Sequence, residues 1–350
     1  MNTSILAKDI LLFSDTFPHY DLLRNKRLLI TGATGLIGSI LTKCLLALDN
    51  LHQLQLQLIC PVRNMEKAKE VFSLRDSSKA ITFLPLNIEE ITVEHITTPI
   101  DFVIHLAAPT ASKYFVDYPV ETFLTVVEGS RQILDFACAK AVSRMVYVSS
   151  LEVYGTVTDD TNPLTESRQG YIDPMDVRSS YSMGKRAAEC LCHAYAEEKS
   201  LSVSTARLAQ TFGAGVEVTD RRVFAQFAMS AVCKEDIVLH TTGELSRMYC
   251  YTTDAVSALL HILLFGKAGE AYNVANPTTY ISIKEMAKLV RQKFAPEICV
   301  KTILQEGHGY APTTRLKLDN TKIFQLGWRP RLDLEEMFQR LIQHLSESLE

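Results

Sequence analysis

Apolar and polar positions alternate in two distinct rhythms along the first half of the chain. Arg27–Thr31 (RLLIT) is a short apolar run that ends at a glycine, and Leu36–Leu48 carries helical periodicity. Gln55–Val62 alternates as a strand, Glu66–Phe72 is helical, and Ile81–Leu86 and Asp101–Leu106 read as further strands. Pro119–Ala141 is a long amphipathic helix, followed by the strand Arg144–Ser149, the helix Ser182–Lys199 and the strand Leu201–Leu208. Strands that alternate with helices predict right-handed βαβ units and an α/β, Rossmann-type, doubly wound parallel sheet, with ligands at the carboxyl ends of its strands. After Gln210 the rhythm loosens into shorter elements, with late helices at Ile283–Phe294 and Leu334–Leu349. This stretch predicts a smaller substrate lobe that is interleaved with the main domain, because Met248–Phe265 reads as a return to that domain. The expected division is an N-terminal arm at 1–25, a dinucleotide-binding domain at 26–209 plus about 248–275, and a substrate lobe at 210–247 and 276–350.

Composition narrows the class. The chain has 350 residues, 47% hydrophobic and 22% charged, the balance of a soluble globular protein. A net charge of −4 gives no general attraction to nucleic acid or anionic membrane. Eight cysteines are scattered with no Cys-x-x-Cys pair, so no metal site is expected and a reduced, cytoplasmic setting fits. The first residues, MNTSILAKDILLFSDTFPHYD, lack the basic start and unbroken apolar run of a signal peptide. No apolar stretch approaches the ~20 residues that span a bilayer.

The first candidate chemistry lies in Leu28-Leu29-Ile30-Thr31-Gly32-Ala33-Thr34-Gly35-Leu36-Ile37-Gly38, a strand, a glycine turn and a helix start. Gly32 permits the sharp turn, Gly35 lets a pyrophosphate approach the backbone, and Gly38 allows close helix–strand packing. The helix N-terminus then offers free N–H groups and a positive dipole to phosphates. An acid that would hold the ribose hydroxyls of NAD is missing after the second strand, which ends Ile59-Cys60-Pro61-Val62-Arg63-Asn64. Arg63 could hold a 2′-phosphate or stack on adenine, so NADP stands beside NAD as a cofactor. Asn87-Ile88 follows the third strand and is placed to touch the adenine. Ala107-Ala108 follows the fourth and would flank the cofactor with small side chains.

Tyr181-Ser182-Met183-Gly184-Lys185 sets a phenol and an ammonium four apart, on one helix face. A phenol is a poor base at neutral pH, and an adjacent ammonium stabilises its phenolate. About thirty residues upstream, Ser150 follows a buried strand in Val148-Ser149-Ser150-Leu151-Glu152-Val153-Tyr154-Gly155. Its hydroxyl can hydrogen-bond the same substrate oxygen.

With these residues the chain resembles the NAD-dependent epimerase/dehydratase family, the extended short-chain dehydrogenases, from about Lys26 to the C-terminus. TGATGLIG, HLAAP, VSSLEVYG and YSMGK occur in family order, as do Arg207 with Gln210-Thr211-Phe212-Gly213, Gly243…Arg247…Tyr251…Asp254, and Arg315 ahead of Leu326-Gly327-Trp328. Several stretches are similar to UDP-glucuronate decarboxylases: Ser150–Gly155, Arg178-Ser179-Ser180-Tyr181, Gly184–Glu189, and Arg222-Val223 leading to Phe227. The resemblance implies Ser150, Tyr181 and Lys185 as the catalytic trio and Glu152 as the acid that handles chemistry at C5. It implies Arg247 and Arg315 as holders of a nucleotide diphosphate, and Tyr114, Arg178, Gln210 and Arg222 as further substrate contacts. Three positions depart from the family pattern. Leu151 stands where a 4,6-dehydratase has aspartate and cannot protonate a leaving hydroxyl. Gln210 replaces an asparagine near the diphosphate, and Val126 replaces the asparagine of the fourth helix.

The implied first step takes the sugar C4 hydroxyl proton onto Tyr181 while hydride leaves C4. Decarboxylation or 4-epimerisation of a nucleotide-sugar then follows from the substrate. An NADPH-dependent keto-sugar reductase is the outcome if Arg63 selects NADP, and a non-catalytic dinucleotide sensor is the alternative of another class. In relatives the two long helices pair across a two-fold axis, so a homodimer is expected.

Overall fold

The computed structural model describes residues 3–72, 80–305 and 313–349. Strands β1 (Arg27–Thr31), β2 (Gln57–Pro61), β3 (Ile81–Leu84), β4 (Phe102–His105), β5 (Arg144–Ser150) and β6 (Val203–Leu208) come first in the chain. Then follow β7 (Gln210–Phe212), β8 (Ile237–Leu239), β9 (Ser246–Tyr251), β10 (Ala271–Val274), β11 (Asn276–Ser282), β12 (Val300–Thr302) and β13 (Arg315–Leu316). The helices are α1 (Ile5–Thr16), α2 (Leu36–His52), α3 (Met65–Phe72), α4 (Ser112–Asp117), α5 (Pro119–Ala139) and α6 (Ser179–Lys199). They continue with α7 (Val223–Cys233), α8 (Thr252–Phe265), α9 (Ile283–Phe294), α10 (Thr321–Gln325) and α11 (Leu334–Leu349).

Seven parallel strands form the main sheet in the order β10-β6-β5-β4-β1-β2-β3. The order reverses between β1 and β4, and such a switch point opens a crevice at the strands' carboxyl ends. Alternation along each strand sends neighbours to opposite faces. Leu28 and Ile30 pack with Leu41 and Leu45 of α2 and Leu259 and Leu263 of α8. Leu29 faces the other way, with Val103, Tyr147, Ile133 of α5 and Ala188 of α6. Both faces are thus covered, as parallel sheets require.

A second sheet is built on β9, which pairs with β11, β13 and β7, while β8 and β12 form a two-stranded ribbon. Its core holds Phe212, Phe224, Met286, Phe338 and Leu341, drawn from β7, α7, α9 and α11. Helix α8 belongs to the main sheet's core, so the chain leaves the first unit, returns and leaves again.

The first residues form a docked helix. Ser4 caps α1 by accepting the Ala7 N–H (3.3 Å), and Phe13 and Phe17 enter the core beside α2 and α8.

Candidate active site

The cofactor crevice begins at the turn after β1. Gly32 has φ +71°, and a Cβ there would meet the Ala107 backbone at 2.9 Å. A Cβ on Gly38 would lie 2.1 Å from the Gly32 carbonyl oxygen, so α2 can leave the strand this closely only with glycine. Gly35 is different. It is the N-cap of α2 with φ −80°, and a Cβ there would meet nothing nearer than the Gly32 oxygen at 3.4 Å. The space beside Gly35 is a cradle that a side chain would fill, and it lies where the α2 N–H groups and dipole favour a diphosphate. Thr34, Leu36 and Ile37 complete this turn.

A buried hydrogen-bond chain ties the turn to β4 and α5. The Ser130 hydroxyl donates to the Val126 carbonyl (2.5 Å), so it accepts from His105 Nε2 (3.2 Å). His105 Nδ1 then accepts the Thr31 hydroxyl proton (2.6 Å), and Thr31 Oγ1 accepts the N–H groups of Leu106 and Ala107 (3.2 Å each). Burial first, and the Lys185 charge second, push His105 down to about 3, so the ring stays neutral in this network. Val126, in the asparagine's place, gives up its carbonyl to Ser130 and packs its side chain toward Gly184.

The remaining cofactor candidates rim the crevice. Arg63 is exposed just past β2, and Ala108 is half-buried after β4. The Asn87 N–H donates to Glu90 (2.8 Å). Ile88 is buried, with its Cδ1 in the space over Gly129 of α5, so its side chain belongs to the core.

Ser150, Tyr181 and Lys185 converge at the end of β5. Ser150 caps the turn Leu151–Tyr154, and its hydroxyl oxygen accepts the Glu152 N–H (3.2 Å). Helix α6 starts three residues earlier than its periodicity alone predicts, because Asp176 accepts the Arg178 N–H through its carboxylate (2.9 Å) and the Ser179 N–H through its carbonyl (2.9 Å). Tyr181 therefore sits in the first turn. Its ring is buried and stacks on Phe115 of α4 at 4.3 Å, and its hydroxyl is close enough to Ser150 to feel that side chain. Burial pushes the phenol up, the neighbouring Ser150 hydroxyl pulls it back, and the Glu152 charge pushes it up again. Lys185 is one turn on. Its Nζ donates to the Val148 carbonyl (2.8 Å) and lies over the rings of Tyr147 and Tyr181. Burial pulls Lys185 down to about 8, against the raising charges of Glu189 and Cys192.

The candidate substrate residues divide into two sets. Arg247 on β9 donates to Glu152 (3.3 Å), and Arg178 stands 4.0 Å from the same carboxylate oxygen. The Arg247 Nε is buried with no partner among the described residues. The other two arginines bind locally. Arg222 grips Asp220 through Nε (2.9 and 3.0 Å) and lies over the Phe224 ring, and Arg315 is 3.6 Å from Asp160. Gln210 is half-buried on β7, opposite Tyr249 of β9. Tyr114 is half-buried on α4 with its ring 4.9 Å from that of Tyr118, and the nearby Glu121 raises its pKa. Phe115, the next residue, is the one that touches Tyr181. Nothing in SKYFVDYP marks it beyond an apolar side chain in a polar loop.

A profile of the NAD dependent epimerase/dehydratase family matches residues 28–275. The chain belongs to that family. It is therefore an enzyme, and NAD is the family's dinucleotide. It is 30% identical over 315 residues to UDP-glucuronic acid decarboxylase 6 of Arabidopsis thaliana, covering 89% of this chain and 86% of that protein. UDP-glucuronic acid decarboxylase 1 of Danio rerio is 29% identical over 334 residues, covering 93% and 74%. Among solved structures, the UDP-glucose 4-epimerase of Thermotoga maritima superposes with a TM-score of 0.76 at 22% identity, covering 93% and 100%. The dTDP-glucose 4,6-dehydratase of Streptomyces venezuelae, solved with NAD bound, gives 0.77 at 22%, covering 92% and 97%. These two share the fold. Among the described residues, no helix is long and apolar enough to cross a membrane, and no group of three metal-ligating side chains is assembled.

Proposed function

We propose that this enzyme oxidises the sugar of a nucleotide-sugar at C4, and that the sugar is a uronic acid which then loses carbon dioxide. The observation that carries this reading is the approach of Arg178 and Arg247 to Glu152, beside Ser150, Tyr181 and Lys185. Two guanidinium groups against one carboxylate leave net positive charge at the sugar end of the cleft, which favours an acidic sugar over a neutral one. The relatives named above act, by their names, on UDP-glucuronic acid.

The Gly32–Gly38 turn would hold the diphosphate of NAD, Ala107 and Ala108 would flank it, and Lys185 would hold the ribose nearest the reacting carbon. When bound, NAD supplies the ring that accepts hydrogen from C4 and later gives it back. Tyr181 takes the C4 hydroxyl proton, Ser150 holds that oxygen, and the Lys185 ammonium stabilises the phenolate. The resulting 4-keto uronic acid is a β-keto acid, whose bond to the carboxylate is weakened. Glu152 would act at C5, the carbon from which carbon dioxide departs, and manage its proton. Leu151 offers no acid for expelling water, so dehydration is not the expected outcome.

The Tyr118, Val120 and Leu124 side chains line an exposed groove of about 520 Å³ on α5, and the exposed Phe123 lies on the same helix. We assign this face to a homodimer of a cytoplasmic enzyme, with light scattering at twice the chain mass as its check.

The deciding experiment is incubation with a panel of UDP-, dTDP-, CDP- and GDP-sugars read by mass spectrometry. Loss of carbon dioxide from a uronate is the expected result. Unchanged mass with altered chromatography makes the enzyme a 4-epimerase, and gain of two hydrogens with NADPH makes it a reductase. Tyr181→Phe is expected to lose turnover while keeping dinucleotide binding, and if no sugar reacts with the wild type the catalytic reading falls.

A further inference from the structure

Helix α1 precedes the family's matched region, yet it carries one of the few buried acids among the described residues. Asp9 is 3% exposed. It accepts the Tyr251 hydroxyl proton (2.5 Å) and pairs with Arg340 of α11. The Tyr251 oxygen also accepts the Ala214 N–H (3.1 Å), and a Cβ on Gly213 would strike the Tyr251 ring at 2.3 Å. The Gly213–Gly215 segment in turn lies on α2, where a Cβ on Gly215 would meet Ile40 at 3.0 Å and Leu36 at 3.7 Å. One carboxylate therefore joins α1, α11, the end of β9 and the segment that crosses from one sheet to the other. A buried carboxylate is costly unless it is paired, so an acid held here indicates that these partners stay together.

Tyr251 is the last residue of β9, and β9 organises the substrate side of the cleft. Arg247 lies four residues before Tyr251 on that strand. Gln210 stands opposite Tyr249 on β7, and Arg315 stands opposite Ser246 on β13. A shift of β9 along its axis would move all three candidate substrate residues relative to Glu152 and Ser150, which are carried by the other sheet.

We propose that Asp9, with Arg340, is a positioning residue for the nucleotide-sugar: by holding the Tyr251 hydroxyl it fixes β9, and with it Arg247, against Glu152. The proposal rests on the substrate reading above for its kinetic consequence, and on the contacts alone for its structural one.

The test uses the full chain and two variants, Asp9→Asn and the milder Tyr251→Phe, which removes only the hydroxyl. Hydrogen exchange is expected to quicken about tenfold at Ala214 and along β9 in both, with β1 and β4 unchanged. The dissociation constant for NAD is expected to stay within about twofold, while KM for the accepted nucleotide-sugar rises about tenfold and kcat changes far less. The double variant is expected to do no more than Asp9→Asn alone, since the Tyr251 link is already broken in it. Val290→Ala, on the buried face of α9, serves as a control that lowers thermal stability without moving KM. Faster exchange confined to α1, with β9 and KM unchanged, overturns the proposal. If the wild type turns over no sugar, the substrate reading fails separately, and the exchange at β9 alone decides the role of Asp9.

Discussion

Lys185 Nζ donates to the carbonyl oxygen of Val148, 2.8 Å away, from a position that is almost wholly buried. That ammonium faces no carboxylate at salt-bridge distance among the described residues, so the fold carries part of the cost of a buried charge. Its pKa falls from 10.5 to about 8 through burial. A folded-state pKa below the unfolded one means that the unfolded chain binds more protons between those two values. Stability therefore rises with pH from about 8 toward 10.5, and the penalty is complete below 8. A shift of this size is worth about 3 kcal/mol. Lys185→Met forfeits the Val148 hydrogen bond, about 1 kcal/mol. The variant is expected to be inactive yet about 1–2 kcal/mol more stable at pH 7. Its advantage should vanish near pH 10, and denaturant titrations at several pH values read this directly. A variant less stable than wild type at pH 7 would refute it.

Glu152 is expected to separate the chemical steps. Glu152→Gln keeps the shape of the side chain but leaves Arg178 and Arg247 without their anion. In the proposed mechanism oxidation at C4 uses Ser150, Tyr181 and Lys185, whereas the change at C5 uses the carboxylate. The variant should bind NAD normally and lose about 10²- to 10³-fold in kcat. Its cofactor should stall in the reduced form, visible as near-ultraviolet absorbance when a uronate is added. Full turnover in this variant would remove Glu152 from the mechanism.

How much of this could be read from the chain depended on the range of the interaction. Ile283–Phe294 and Leu334–Leu349 are expected and observed with the same ends, because their apolar spacing is local. The strand expected from Gln55 begins at Gln57, since Gln53 and Gln55 take left-handed conformations (φ 52° and 60°) that periodicity does not register. The glycine turn and the Tyr181–Lys185 pair are each contained in a short motif, whereas Ser150 joins that pair only through the family resemblance. The pairing of Glu152 with Arg247 spans 95 positions, and Asp9 reaches partners 242 and 331 positions away. No local pattern announces such pairs, so nothing in the arm's sequence singles out Asp9.

Arg63 should decide between the two dinucleotides. It is exposed past the end of β2, where Val62 and Asn64 flank it and no acid stands ready for a ribose hydroxyl. A 2′-phosphate there would gain a charge-assisted hydrogen bond that NAD cannot make. Arg63→Ala is expected to weaken NADP about tenfold and to leave NAD within about twofold, measured by calorimetry. Equal losses for both would place Arg63 on the adenine face, and no loss for either would make it a solvated side chain.

The glycines of the turn should separate stability from binding. A Cβ on Gly38 falls 2.1 Å from a backbone oxygen that cannot move without distorting β1, so Gly38→Ala is expected to lose about 3 kcal/mol of stability together with dinucleotide binding. At Gly35 the backbone is one that alanine adopts (φ −80°), and its nearest neighbour would be 3.4 Å away. Gly35→Ala should therefore unfold within about 1 kcal/mol of the wild type, since a small N-cap loss opposes a gain in chain stiffness. Its methyl group, however, would occupy the space beside the α2 N–H groups into which a pyrophosphate must come. NAD affinity should fall at least about tenfold, the loss of one well-placed phosphate contact. Thermal denaturation and calorimetry on the same two preparations test the pair. If Gly35→Ala bound NAD as tightly as the wild type, the diphosphate would have to sit elsewhere than at the start of α2.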